Sequence, residues 1–340
     1  MTIRESLHIT IPLCLSVLYS CTNNSDTEKH QQQRDNIADV HEQIMEFQTD
    51  DILIGSYARL FILDDVLIIG DYKSSDELIH LFDKDSFQHL ASTAYLGQGP
   101  GEIAVMGHIG IDEKRRKFYV SDHGKQKIFS YDVDSALTNP HYMPEVKVEM
   151  NMVQFPDRYE YINDTLSFAL MIEPTSVSTF NQAVARWNIE AGTFEPMKYQ
   201  HPAIQKKRIS FAVSLEQGVY AECYTYHDLM TICTLDGTLI CNVYGPAWDA
   251  TVSNRIKHYG DVVICGDKIV AAYSGGENFS DARYPTKLLV FNLEGDYLKT
   301  LDVGYRITDL CYDKESNRLL MVLNDEIQFG YLRLNNIINI

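Results

Sequence analysis

Short apolar runs, each preceded by a turn-forming or charged pair, recur along the chain. Six share this form: "DDVLIIGD", "RRKFYVSD", "NDTLSFAL", "QGVYAECY", "DKIVAAYS" and "NRLLMVLN". Allowing a slip of one residue, their first apolar positions are Leu67, Phe118, Leu166, Val219, Ile269 and Leu319, at intervals of 48 to 53 residues. A fixed period of that length marks a repeat architecture. Each unit also has an apolar stretch before the turn, as in Ala58 to Leu63 or Val262 to Cys265. A polar loop follows the run. A third stretch then ends at an acidic residue or Asn and a tight turn, as in "LIHLFDKDSF" and "LLVFNLEGDYL". A fourth follows, such as "LICNVYG" or "YLKTLDVG". The turns Lys84-Asp85, Asp134-Ser135, Ala191-Gly192, Asp236-Gly237 and Glu294-Gly295 suit short hairpins. Helical periodicity over a dozen residues is absent from the body.

Four short antiparallel strands repeated six times predict an all-β fold, a six-bladed β-propeller with four-stranded antiparallel blades. A blade cannot bury both faces alone, and radial packing lets each sheet cover its neighbour. The sixth unit lacks a fourth stretch. The segment "HEQIMEFQTD", His41 to Asp50, supplies a candidate, so the ring is expected to be closed by an N-terminal strand.

Composition narrows the partners. The 340 residues are 45% hydrophobic, enough for a packed core, and the formal net charge is -18. Such a chain repels phosphate backbones, which excludes nucleic acid as a partner. Leu7 to Leu18 is apolar, follows Arg4, and is too short to span a bilayer. The run ends Leu18-Tyr19-Ser20-Cys21, which resembles a bacterial lipoprotein signal. That resemblance implies cleavage before Cys21 and a diacylglycerol on its sulfur. The protein would then be lipid-anchored in the bacterial cell envelope. Thr22, in place of the aspartate that retains some lipoproteins in the inner membrane, favours the outer membrane. The expected organisation is a signal peptide at 1–20, a flexible polar tether at 21–39 and the propeller at 40–340. The tether has no aromatic residue to bury, and a flexible chain of that length spans on the order of 24 Å.

Of seven cysteines, Cys14 leaves with the signal. Cys223, Cys233, Cys241, Cys265 and Cys311 have no framework spacing and no C-x-x-C, so they read as small buried residues without zinc or redox chemistry. A Cys223–Cys233 pair across a hairpin is the lesser alternative.

The signal, the six units and the "GQGPGE" loop between the first two units together resemble a family of Bacteroidetes lipoproteins with a TolB-like six-bladed propeller. "YVSDHGKQKIFSYD" is similar to an NHL-type blade. The resemblance implies a non-catalytic binding or interaction protein of the cell envelope, with an envelope protein or a glycan as partner. It lends no catalytic residue and no cofactor.

In a propeller, loops joining strands two and three lie on the same face as loops joining one blade to the next. Long loops on a rigid scaffold are where function concentrates. Candidate ligand-binding residues there are Glu102, His123, Tyr224, Tyr226, His227, Trp248, Arg255, Arg283 and Tyr284. Aromatic faces beside carboxylates suit sugars, and Arg255 with Lys257 and His258 forms a basic cluster on an acidic chain. No G-x-S-x-G, H-E-x-x-H or Walker lysine occurs, and no calcium-loop or other metal-ligand spacing is visible. The rival reading is a metal-dependent hydrolase or lyase, with a divalent ion in the channel held by carboxylates such as Glu102 and Glu173. In "YLGQGPGEI", no helix follows the glycines, Pro100 removes an amide and Glu102 repels phosphate. Gly97, Gly99 and Gly101 therefore read as an inter-blade bend that aims Glu102 toward the channel mouth.

Overall fold

The computed structural model describes residues 26–49, 52–150, 154–176, 179–251 and 253–338. Six antiparallel sheets are arranged as the repeat predicts. Their innermost strands are Ala58–Leu63, Met106–Asp112, Phe155–Asn163, Ile209–Ser214, Ile256–Cys265 and Ile307–Asp313. The second strands are Val66–Asp71, Lys117–Asp122, Leu166–Pro174, Val219–Tyr224, Lys268–Glu277 and Arg318–Leu323. They contain or directly abut the six repeat positions.

Six apolar clusters form the core, each spanning one boundary between neighbouring blades. Leu67 and Ile69 of blade 1 meet Leu320 and Val322 of blade 6, whereas Ile68 and Leu81 face Val120 and Phe129 of blade 2. The second strand is thus covered on both sides, and Val66–Asp71 is buried at every position. That explains why these strands read as continuous apolar runs rather than alternating ones.

The ring is closed as expected, by a shorter strand than the sequence suggested. Three N-terminal strands precede blade 1: β1 (Glu28–His30), β2 (Ile37–Asp39) and β3 (Met45–Glu46). β3 pairs antiparallel with Phe329–Arg333 and completes blade 6. Phe47 follows it into the core, with its ring 4.1 Å from Phe87 and 5.4 Å from Phe329.

The described part of the expected tether, residues 26–39, does not hang free. β1 adds in parallel to Leu239–Tyr244 of blade 4, and β2 adds in parallel to Tyr297–Asp302 of blade 5. Between them Arg34 enters the body. Its Nη2 lies 2.9 Å from Asp228 Oδ1, and its guanidinium stacks 4.9 Å from the Tyr273 ring. Burial opposes its charge, but Tyr259, Asp228 and Tyr273 outweigh that and hold its pKa above the usual value. Polar composition had suggested a segment unable to fold alone. It orders because the outer edges of blades 4 and 5 offer unpaired backbone groups and a buried carboxylate.

Two smaller expectations change. Asp134-Ser135 is not a hairpin turn but part of a helix, Val133–Thr138, capped by the Asp132 side chain accepting from Ser135 N. Cys223 lies opposite Met230, and Cys233 opposite Tyr220. Both are free thiols, so the hairpin disulfide is not formed. Cys21 and the signal segment lie outside the described residues.

Candidate binding face and central channel

The innermost strand of each blade is a sheet edge, so its outward amides need partners. Around the channel these come from the preceding blade. Asp261 Oδ2 accepts from Leu310 N at 3.2 Å, and Asp309 Oδ2 accepts from Leu60 N at 2.9 Å. Arg158 bridges the two acids, 2.6 Å from Asp261 and 3.9 Å from Asp309. Burial and the neighbouring Asp261 charge raise the Asp309 pKa. Glu160 also lines the lumen; its side chain is solvent-exposed there, but the surrounding channel wall and then the Glu113 charge raise its carboxyl to about 7. Together these strands enclose a cavity of about 660 Å³. Its lining includes Asp64, Glu113, Leu215, Lys314 and Glu315, all on the hairpins that join first to second strands. The cavity therefore reaches the end opposite the loop face. None of the nine sequence-predicted binding residues lines it.

Several of those nine are occupied internally. The Glu102 carboxylate accepts from Gly99 N at 2.6 Å, so it folds into its own loop instead of aiming at the channel mouth. A Cβ at Gly97 would sit 2.0 Å from Glu102 Oε2, so a side chain there would push the carboxylate out of its loop. Lys125 Nζ donates to the Gly99 and Glu102 carbonyls, both at 2.7 Å. The glycines do form the inter-blade bend, but of the three only Gly101, at φ +75°, takes a left-handed backbone, and the role expected of Glu102 is not seen. His123 Nε2 lies 3.1 Å from the Pro156 carbonyl and packs on Phe155, tying blade 2 to blade 3. Burial lowers its pKa, leaving the ring neutral. Tyr224 is buried and donates to Glu222 Oε2, which Lys207 Nζ also reaches at 2.7 Å. His227 Nδ1 is 3.0 Å from the Asp249 carbonyl, and its ring leans on Trp248. Trp248 in turn packs against His201 and Tyr244, so it anchors its loop. Glu173 is exposed on the second strand of blade 3 and shares no site with Glu102.

The remaining candidates are brought together. Arg255 O accepts from Asn278 N at 2.7 Å, which joins the entry to blade 5 to its long loop between strands two and three. Arg283, in that loop, stacks 4.8 Å from the Tyr284 ring and donates to its hydroxyl at 3.0 Å. Lys257 lies near enough that burial and the Arg283 charge lower its pKa. A backbone relay continues into blade 4: His258 N donates to Thr225 O at 2.7 Å, and Thr225 N to Arg208 O at 2.8 Å. Tyr226 follows directly. Arg208, which the sequence reading missed, stacks 3.7 Å from Phe180 of blade 3, and burial lowers its pKa. Sequence distance hid it: Phe180, Arg208 and Arg255 sit in three different repeats.

The profile of a 6-bladed beta-propeller family, DUF5128, matches residues 23–221, more than half of the chain. The chain belongs to this family. A search of curated protein sequences finds no match. Among solved structures, this family member is similar to a duf4221 family protein from Bacteroides vulgatus. The TM-score is 0.57 at 12% identity, over 86% of this chain and 96% of that one. It is similar to a putative exported protein from Bacteroides fragilis, with TM-score 0.51 at 9% identity over 87% of each chain. It also resembles the calcium-binding protein regucalcin from Agrobacterium tumefaciens, with TM-score 0.52 at 10% identity over 90% and 95%. At these identities the likeness is one of fold.

Proposed function

We propose that this propeller is a non-catalytic binding protein of the bacterial cell envelope. It is anchored through lipid on Cys21, most simply in the outer membrane, and engages an envelope protein or glycan with its loop face. The observation that carries the reading is the collection of Phe180, Arg208, Tyr226, Arg255, Lys257, Arg283 and Tyr284 along one rim of blades 3 to 5. Glu102, His123 and His227, the titratable groups singled out on the loop face, are bound to backbone within the scaffold. Glu102 and Glu173 do not meet, so the metal-dependent alternative loses the carboxylates assigned to it. The fold likeness to a protein described as exported is consistent with an envelope location.

The docked N-terminal segment sharpens the anchoring. Five positions separate Cys21 from Asp26, the first described residue, a reach of at most about 17 Å. A lipid on Cys21 therefore holds the outer edge of blade 4 close to the bilayer. Replacing Cys21 with Ser is expected to move the protein from the membrane to the soluble fraction, and retention in the membrane would refute the anchor. Cross-linking pull-down from native envelopes is expected to recover a partner that an Arg255→Glu, Arg283→Glu variant loses. Equal recovery would refute the loop face.

A further inference from the structure

Cations are scarce on this chain, 29 Lys and Arg against 47 Asp and Glu. Where they occur, acids claim many of them. Arg116 is shared by Asp64, Asp65 and Asp134, and Arg115 by Asp112 and Asp164. Arg318 holds Asp85 and Asp313. The rim of blades 3 to 5 departs from this pattern. Among the described residues, Arg208, Arg255, Lys257 and Arg283 form no ion pair. The Tyr284 hydrogen bond and, to a lesser degree, the charge of Asp281 in the same loop raise the Arg283 pKa, but Asp281 comes within ion-pair distance only of Arg306, at 4.0 Å. Glu277, which faces Ile256 across the strand pair between Arg255 and Lys257, and Glu173 form no ion pair with these cations. Two of the guanidiniums lie over rings, Arg208 on Phe180 and Arg283 on Tyr284. Phe279, in the same loop, is 78% exposed.

We propose that this rim binds an acidic polysaccharide, with Arg208, Arg255 and Arg283 pairing with successive carboxylates and the neighbouring rings taking sugar faces. This deepens the loop-face reading above and rests on it. The cations are spread over two blades, Arg208 entering blade 4 and Arg255, Lys257 and Arg283 in blade 5, which suits a ligand with repeated negative groups better than one small anion. Guanidinium forks match carboxylates bidentately, and an aromatic ring offers its face to apolar C–H surface. Mutual repulsion between Lys257 and Arg283 is relieved when an anion enters, which strengthens the pairing.

The test uses the detergent-solubilised full chain with polygalacturonate as probe and dextran as the neutral control. Polygalacturonate is expected to be retained, dextran not, and binding should weaken as salt is raised. The Arg208→Gln, Arg255→Gln, Arg283→Gln variant should lose affinity by about tenfold or more with an unchanged melting temperature. Equal binding of dextran, or unaltered affinity of the variant, would overturn the proposal. So would displacement by inorganic phosphate at lower concentration than by galacturonate oligomers. If polygalacturonate fails while the envelope pull-down still depends on Arg255 and Arg283, the acidic glycan is wrong and the loop-face reading stands. If that dependence is absent too, both fall.

Discussion

Blades 1 to 3 and blades 4 to 6 solve the same edge problem differently. A fourth strand leaves a row of unpaired amides and carbonyls facing outward, a template for unwanted pairing. Blade 2 ends in "EVKVE" and blade 3 in "TFEP", with charges in one and brevity and proline in the other. Blade 1 ends in "HLASTAY", against which Val133 and Ala136 of the short helix pack near Ala94. The outer strand of blade 4 is "LICNVY", with no charge at all. There the chain's own N-terminal segment supplies cover. β1 lies along blade 4, β2 along blade 5, and β3 completes blade 6. The segment is held by side chains as well as backbone. Glu28 accepts from Asn242 and Tyr244, Lys29 pairs with Asp296 at 2.6 Å, and Arg34 reaches Asp228. An edge can therefore carry apolar residues when another segment is committed to it.

Four changes would break or sharpen this contrast. Deleting residues 26–49 should have the largest effect, because it bares three edges and reopens the ring. Cooperative unfolding should be lost or its midpoint should fall steeply in calorimetry, and an unchanged midpoint would refute the closure. Within that segment, Phe47→Ala should cost about 3–5 kcal/mol in urea unfolding, since a large ring leaves the core between blades 6 and 1. An equivalent figure applies to Asp228→Ala, which strands the Arg34 guanidinium in the body at about 3–5 kcal/mol. The double change Arg34→Met, Asp228→Leu should recover only part of that loss, because the Ala247 amide and the Tyr273 hydroxyl still lose their acceptor, and no recovery at all would refute the stranded-charge account.

Smaller effects test individual contacts. Glu28→Ala should cost about 1 kcal/mol and speed hydrogen exchange of the Asn242 amide, which donates to Thr27 O, and of the Gln31 amide, which donates to Tyr244 O. Blades 1 to 3 should exchange as before. The channel supplies the pH dependence. Glu160 is raised in the folded state to about 7, above its unfolded value. Its contribution favours folding at low pH and is lost as pH rises through about 7. Glu160→Gln should therefore raise the melting temperature more at pH 8 than at pH 5. Equal gains at both would place that carboxylate in ordinary solvent.

The repeat was legible because second strands are buried on both faces. Leu67, Phe118, Leu166, Val219, Ile269 and Leu319 stand out as runs, and runs at a fixed period specify the ring. Closure by a segment after residue 40 was legible for a related reason: the sixth unit was one strand short. The docking of residues 26–39 was not. Their composition is polar, and the groups that order them, Asp228, Asn242 and Tyr244, lie about two hundred positions away. The site divided in the same way. Arg255, Arg283 and Tyr284 were visible as residues of long loops, whereas Arg208 joined them only through backbone contacts between blades. Glu102, His123 and His227 had suitable chemistry, but local sequence does not say which acceptor or donor a side chain meets. Sequence alone determined the blades, because burial pattern is a local property of each strand. Tertiary structure decided which edges are covered and which charges stay free, because both depend on groups that only the closed ring brings within hydrogen-bonding distance.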